Sequence, residues 1–219
     1  SSLSRDSDFA EIMTLACKSA ILNRGVSHLV FPDDVQTVES DAEADTPTGR
    51  LPARGVQAPA EALDQAVEKI AAARRPVIIC GHGARFHMPA IIELAERLRC
   101  PVVTTFKAKG VIPDDHPNAC GVLGRSGTPI ASWFMNECDQ LIVLGASFSN
   151  HTGITPKKPI IQVDFDPMQL GRFHKVDVPV WGEIGATVAT MSERLAATEL
   201  AATDQIGETG ARFGRGNGG

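Results

Sequence analysis

No apolar stretch in these 219 residues approaches the roughly 18 needed to cross a bilayer. The opening residues, Ser1-Ser-Leu-Ser-Arg-Asp6, lack the apolar core of a secretory signal, so the expectation is a cytoplasmic chain without a membrane span. Nor is there a Cys-x-x-Cys. Cys17, Cys80, Cys100, Cys120 and Cys138 are odd in number and set among apolar or small residues, a pattern of buried free thiols rather than disulfides or a zinc site. Basic side chains are not gathered: Arg74-Arg75 and Lys157-Lys158 are the dense spots, and they read as solvated strand ends. With a net charge of -5 and a pI near 5.7, this argues against a nucleic-acid partner. What is present is a 43% hydrophobic, 21% charged composition, enough for a sizeable core in one large domain or one domain plus a smaller piece.

Asp8 and Glu11 stand at capping-box spacing, and Ile12, Leu15, Ala16, Ser19 and Leu22 continue to a stop at Gly25, which predicts an amphipathic helix over 8–24. His28-Leu-Val-Phe31 reads as a short strand, closed by the turn Pro32-Asp-Asp-Val35. From 36 to 58 large apolar residues nearly vanish, which marks a linker. A helix follows from Pro59 to Arg74. Then strands at 77–80, 101–105, 140–144, 159–163 and 178–181 alternate with helices at 89–97, 128–136 and 184–197. Apolar strands alternating with helices predict a doubly wound, Rossmann-like α/β fold, a parallel sheet of about five to six strands with helices on both faces. The Gly-rich end, 198–219, is expected to be a flexible tail.

Ligands of open parallel sheets lie beyond the carboxyl ends of the strands, where strand order reverses. The residues there are Gly81-His82-Gly83, Thr104-Thr105-Phe106-Lys107, Gly145-Ala-Ser147-Phe148, Asp164-Phe165-Asp166 and Gly182-Glu183, joined by the loop Gly121-Val-Leu-Gly124-Arg125-Ser-Gly127. An apolar run ending in Gly-x-Gly and opening into a helix is one way a sheet offers N–H groups to a phosphate. The same turn also serves as a bare fold element. A nicotinamide site fits poorly, because the third glycine is replaced by Phe86 and the second strand ends in Thr104-Thr105 rather than an acid. Asp164 and Asp166 alternate along a strand, so ribose hydroxyls or a cap at Pro167 suit them better than a shared ion. His116 reads as structural, and Ser126 has no nucleophile-elbow context.

Taken in order, these pieces carry a family likeness. Arg75-Pro-Val-Ile-Ile-Cys-Gly-His-Gly83, Leu94-Ala-Glu-Arg-Leu98, Pro101-Val-Val-Thr-Thr105, Lys109-Gly-Val-Ile-Pro-Asp-Asp-His-Pro117, Gly121-Val-Leu-Gly124, Cys138-Asp-Gln-Leu-Ile-Val-Leu-Gly145 and Ile160-Ile-Gln-Val-Asp-Phe-Asp-Pro167 follow one another. Residues 59–197 thereby resemble the central domain of thiamine-diphosphate-dependent enzymes of the acetolactate synthase and pyruvate oxidase type. His174-Lys-Val-Asp177 followed by Gly182 leans towards the pyruvate oxidase branch. Residues 1–35 are similar to the end of the preceding pyrimidine-binding domain, with 36–58 in the place of its linker.

The resemblance implies an enzyme acting on a 2-oxo acid as decarboxylase, carboligase or oxidase, with thiamine diphosphate and Mg2+ held by other domains. The activating glutamate of the first domain and the Gly-Asp-Gly of the third are absent from this sequence, so the chain alone is expected to be inactive, with no catalytic or metal residue of its own. It also implies neighbouring domains of the same enzyme as partners, in a homo-oligomer, dimer or tetramer. Some relatives carry FAD on the central domain. By position, Gly81, His82, Gly83, Asp164 and Phe165 would face the adenosine and phosphates, and Thr105, Phe106, Gly124, Arg125, Gly145 and Ser147 the middle and flavin side. The sequence departs at Glu183, where flavin-binding members usually have Asp, and after Gly145, where no arginine follows. The alternatives are a structural domain with an emptied site that supports assembly, and an independent NAD- or ADP-ribose-binding domain.

Overall fold

The computed structural model describes residues 2–39, 41 and 46–208. The chain divides into two compact units, Ser1–Arg54 and Gly55–Gly219. Residues 55–58, read from composition as the end of the linker, thus belong to the second unit, where Ala58 is buried and the Glu183 N–H donates to the Val56 carbonyl at 2.8 Å.

In the first unit α1 (Phe9–Leu22) starts where expected, because the Asp8 carboxylate accepts from the Glu11 N–H at 2.8 Å and satisfies one of the open N-terminal donors. Its end is set at Arg24, which takes a φ of 51°, while the Gly25 N–H closes on the Ala20 carbonyl. The strand expected at 28–31 is not formed. Val30 makes a single parallel bridge with Ser2, and Pro32 opens a one-turn helix, α2 (Asp33–Gln36), in place of the predicted turn. A short apolar run becomes a strand only when a neighbouring ladder takes up its backbone groups.

The second unit is a six-stranded parallel sheet in the order β3-β2-β1-β4-β5-β6. Its strands are β1 (Pro76–Cys80), β2 (Val102–Thr104), β3 (Ala119–Val122), β4 (Gln140–Leu144), β5 (Ile160–Asp164) and β6 (Val178–Trp181). The helices are α3 (Ala60–Ala72), α4 (Met88–Arg97), α5 (Pro129–Glu137) and α6 (Ile184–Ala196). Side chains alternate across a strand, so each buried run serves two cores at once. Ile78 and Cys80 of β1 join Ile142 and Leu144 of β4 beneath α3, α4 and α6, whereas Val77, Ile79, Leu141 and Val143 face α5 with Phe134. This two-sided burial is why β1 and β4 read as continuous apolar runs.

The predicted strands recur within a residue or so, and β3 is the addition. It is four residues long, half-exposed at alternate positions, and contains Gly121 at φ 81°, where an added Cβ would collide with Thr128. A glycine inside so short a segment weakens the strand signal, and pairing with β2 supplies what local propensity lacks.

The beginning of the expected tail is anchored. Ala201 N–H donates to the Ala71 carbonyl and Thr203 N–H to the Arg74 carbonyl, both at 2.9 Å. The fully buried Gln205 donates its Nε2 to the Pro76 carbonyl at 2.8 Å, and Arg75 grips Glu208 with two hydrogen bonds of 2.7 and 2.9 Å. Residues 201–208 therefore strap the amino ends of the strands, using backbone groups that composition alone does not reveal. The remainder of the predicted tail, 209–219, lies outside the described residues. Gln205→Ala should lower stability by about 1–3 kcal/mol, since it strands the Pro76 carbonyl and empties a buried site; denaturant unfolding of the two proteins checks this.

Candidate functional site

β1 and β4 are neighbours, yet the chain leaves β1 towards β2 and β4 towards β5, so strand order reverses between them. This is where doubly wound sheets open a crevice at their carboxyl edge. The loops that meet there begin at Gly81 and Gly145, and they meet without side chains between them. A Cβ on Gly81 would overlap Gly145 and Ala146, and one on Gly83 would lie 3.0 Å from the Gly145 Cα. Gly145 has a φ of 57°, and a Cβ there would stand 2.6 Å from Ile184 Cδ1 and 2.8 Å from the Ala84 nitrogen. Each glycine is thus required by backbone packed on backbone.

The donors of this turn are also engaged. Gly81 N–H donates to the Leu144 carbonyl at 2.9 Å, Gly83 N–H to the Gly145 carbonyl at 3.0 Å and Ala84 N–H to the Gly81 carbonyl at 3.1 Å. Nor does the turn open directly into an α-helix. Residues His82–Ala84 form a 3-10 turn, and α4 starts only at Met88, so the positive end of its dipole lies beyond the glycines. α4 begins within a residue of the helix expected at 89–97, and the loop between Gly83 and that helix first folds back onto Gly145.

Around this knot the other candidate residues take up separate positions. His82 is exposed, its Nδ1 3.3 Å from the Lys107 carbonyl. Thr105 is buried and its N–H donates to the Cys80 carbonyl at 2.9 Å. Phe106 is half-exposed and lies against Gly124, where a Cβ would come within 2.8 Å of the ring; Gly124 has a φ of 141°. Arg125 and Ser147 are exposed, and the Arg125 N–H donates to the His151 carbonyl at 3.2 Å. Asp164 accepts from the Asp166 N–H at 2.9 Å, and Asp166 in turn accepts from the Met168 N–H and caps the 3-10 turn Pro167–Gln169. The cap at Pro167 foreseen for these aspartates is the role Asp166 takes. The Phe165 carbonyl accepts from the Trp181 indole at 3.0 Å. Among the described residues no group of three or more His, Cys, Asp or Glu is placed to hold a metal ion.

The rim of this edge is apolar. Phe86, Phe106, Met168 and Trp181 are exposed on the loops after β1, β2 and β5 and at the end of β6, and Phe173 is exposed further along the segment that returns from β5 to β6. Arg85 lies over the Phe86 ring at 4.2 Å and Arg172 over Phe173 at 5.2 Å. Flat apolar faces beside cations suit a molecule with both aromatic and anionic parts.

One pair escaped the sequence reading. His87 Nε2 lies 2.6 Å from Glu183 Oε1, with side chains 21% and 9% exposed. Glu183 Oε2 at the same time accepts from the Ala186 N–H at 2.8 Å and caps α6. Glu183 stood among the strand-end residues, but nothing local marks His87 as its partner.

Burial holds three of the thiols in the protonated form. Cys80 ends β1 fully buried, and burial pushes it up to about 12; Cys138 is pushed up to about 12 for the same reason, and Cys100 also rises. Cys17 departs from the buried pattern and is exposed on α1. A thiol reagent should therefore label one cysteine rapidly in the native protein, Cys17, and the others only after denaturation; peptide mapping would show this.

No helix among the described residues is long and apolar enough to cross a membrane. Residues 63–191 match the family described as thiamine pyrophosphate enzyme, central domain, and they coincide with the sheet unit. The chain belongs to that family. It is 35% identical over 190 residues to the probable acetolactate synthase large subunit of Methanocaldococcus jannaschii, covering 80% of this chain and 32% of that protein. Against the acetolactate synthase isozyme 1 large subunit of Escherichia coli it is 32% identical over 193 residues, covering 84% and 34%. An X-ray structure from Mycobacterium smegmatis, of a protein assigned to the thiamin diphosphate-dependent enzymes, superimposes with a TM-score of 0.70 at 22% identity, over 91% of this chain and 39% of that one. That likeness establishes the fold. The chain spans about a third of the length of the curated relatives named here.

Gly145→Ala should destabilise the second unit by about 1–3 kcal/mol, because the methyl group meets backbone on one side and Ile184 on the other. Thermal melts of wild type and variant check the expectation.

Proposed function

We propose that this chain is the central domain of a thiamine-diphosphate-dependent enzyme that acts on a 2-oxo acid as decarboxylase, carboligase or oxidase. The observation that carries the reading is the coincidence of the family match at 63–191 with an independently packed sheet unit. Residues 1–35 are the end of a preceding pyrimidine-binding domain, 36–58 the connection, whose last four residues pack with the second unit, and 59–197 the central domain. Thiamine diphosphate and Mg2+ are held by the other domains, which with further copies of the chain are its partners in a cytoplasmic homo-oligomer. The residues present here do not fit thiamine diphosphate: the sequence has no Gly-Asp-Gly. On this reading the 219-residue chain alone is inactive.

The carboxyl edge is the place for a nucleotide, FAD above all. His82, Arg125, Ser147 and the Phe106 ring are open to a ligand there, with Asp164 and Phe165 at the adenosine end. These residues fit a ligand held by side chains and aromatic faces better than one cradled on the backbone of Gly81 and Gly83, whose N–H groups have internal acceptors. The same engagement supports a second reading, a structural domain with an emptied site that serves assembly.

Calorimetry separates the two. FAD or ADP should bind the wild type, and Asp164→Asn, which keeps an acceptor for the Asp166 N–H, should weaken binding by about 1–3 kcal/mol. Equal affinity in both proteins would put the ligand elsewhere, and no binding to the wild type would favour the emptied site. Thiamine diphosphate with Mg2+ should not bind the chain at micromolar concentration; if it did, the assignment of that cofactor to other domains would fail.

A further inference from the structure

We infer that His87 and Glu183 form a latch across the carboxyl edge, one that must part for a nucleotide to lie fully across the strand ends. The inference rests on the nucleotide reading above and adds a control to it.

His87 is the residue on which α4 begins and Glu183 the residue on which α6 begins. α4 follows β1 and α6 follows β6, while β4 and β5 lie between those two strands in the sheet. The two helix starts meet as neighbours on the face covered by α3, α4 and α6, beside Gly145 at the end of β4. Three contacts show how closely the latch shuts. His87 Nε2 and Glu183 Oε1 are 2.6 Å apart, and both atoms are buried. A Cβ on Gly185 would fall 2.5 Å from His87 Nδ1, so the imidazole presses against the first turn of α6. Next to it, Ile184 Cδ1 packs on Gly145, the residue that ends β4. A ligand running from Gly81 towards Asp164 would meet this bridge on its way.

The length of the glutamate side chain makes the latch. One carboxylate oxygen caps α6 through the Ala186 N–H while the other reaches His87. An aspartate at 183 could still cap the helix, since Asp is a favoured N-cap, but its carboxylate would fall a methylene short of the imidazole. A closed latch reduces apparent affinity by the fraction of molecules in which it is open.

The test uses ADP with the 219-residue chain in four forms: wild type, His87→Ala, Glu183→Asp and the double variant. If the latch is open about a tenth of the time, each single variant should bind ADP about tenfold tighter than wild type. The double variant should match the singles, because all three break one contact. Unchanged or weaker binding in Glu183→Asp, with wild-type melting behaviour, would overturn the latch while leaving the nucleotide site in place. Absence of ADP binding in all four would overturn the nucleotide reading and the latch with it. Should His87→Ala fail to fold, His87→Gln keeps most of the volume and is held to the same outcomes.

Discussion

The close approach of two glycine loops at the point where strand order reverses is the constraint on which the second unit depends. Parallel strands feed loops to one edge, and at β1 and β4 those loops must leave in opposite directions from adjacent strands. Gly81, Gly83 and Gly145 let the two backbones touch, the Gly81 and Gly83 N–H groups donating to the Leu144 and Gly145 carbonyls, with Gly145 in a conformation that side chains disfavour. Everything else at the edge is arranged around that knot: the delayed start of α4, the seat of Ile184, and the positions left to His82, Phe106 and Ser147.

The two edges of the sheet are built differently. At the amino edge, residues 201–208 cross over the strand starts and satisfy the carbonyls of Ala71, Arg74 and Pro76. The carboxyl edge leaves aromatic faces and cations in the open, and its polar contacts combine short turns at Asp164 and Asp166 with backbone bonds between loops. Rigidity on one side and accessible chemistry on the other is the division expected of a scaffold whose loops carry the function. The His87–Glu183 contact is a buried side-chain tie among these loops.

Much of the fold was legible in the order of the residues. Val77 to Cys80 and Leu141 to Leu144 are apolar without alternation because both faces are covered, and that pattern implies a parallel sheet between helices. Asp8 and Glu11 marked the start of α1 through a contact three residues apart. Where the reading went astray, the deciding partner was distant. Gly121 lies in a strand because Ala119 and Val122 on either side of it pair with β2, and 28–31 is not a strand because Val30 has no more than one bridging partner there.

The sequence by itself determined the α/β class, the succession of elements and the membership in the thiamine pyrophosphate enzyme family, since these rest on local periodicity and on motifs in a set order. It also named the strand ends as the place to look. Tertiary structure alone decided what those ends do: that the glycines receive a neighbouring backbone, that Asp166 caps a turn, that Glu183 meets His87, and that Gln205 is buried. The physical reason is the same in each case. A residue's type limits the contacts it is able to make, but which contact forms depends on groups brought close from far along the chain, and local pattern holds no record of them.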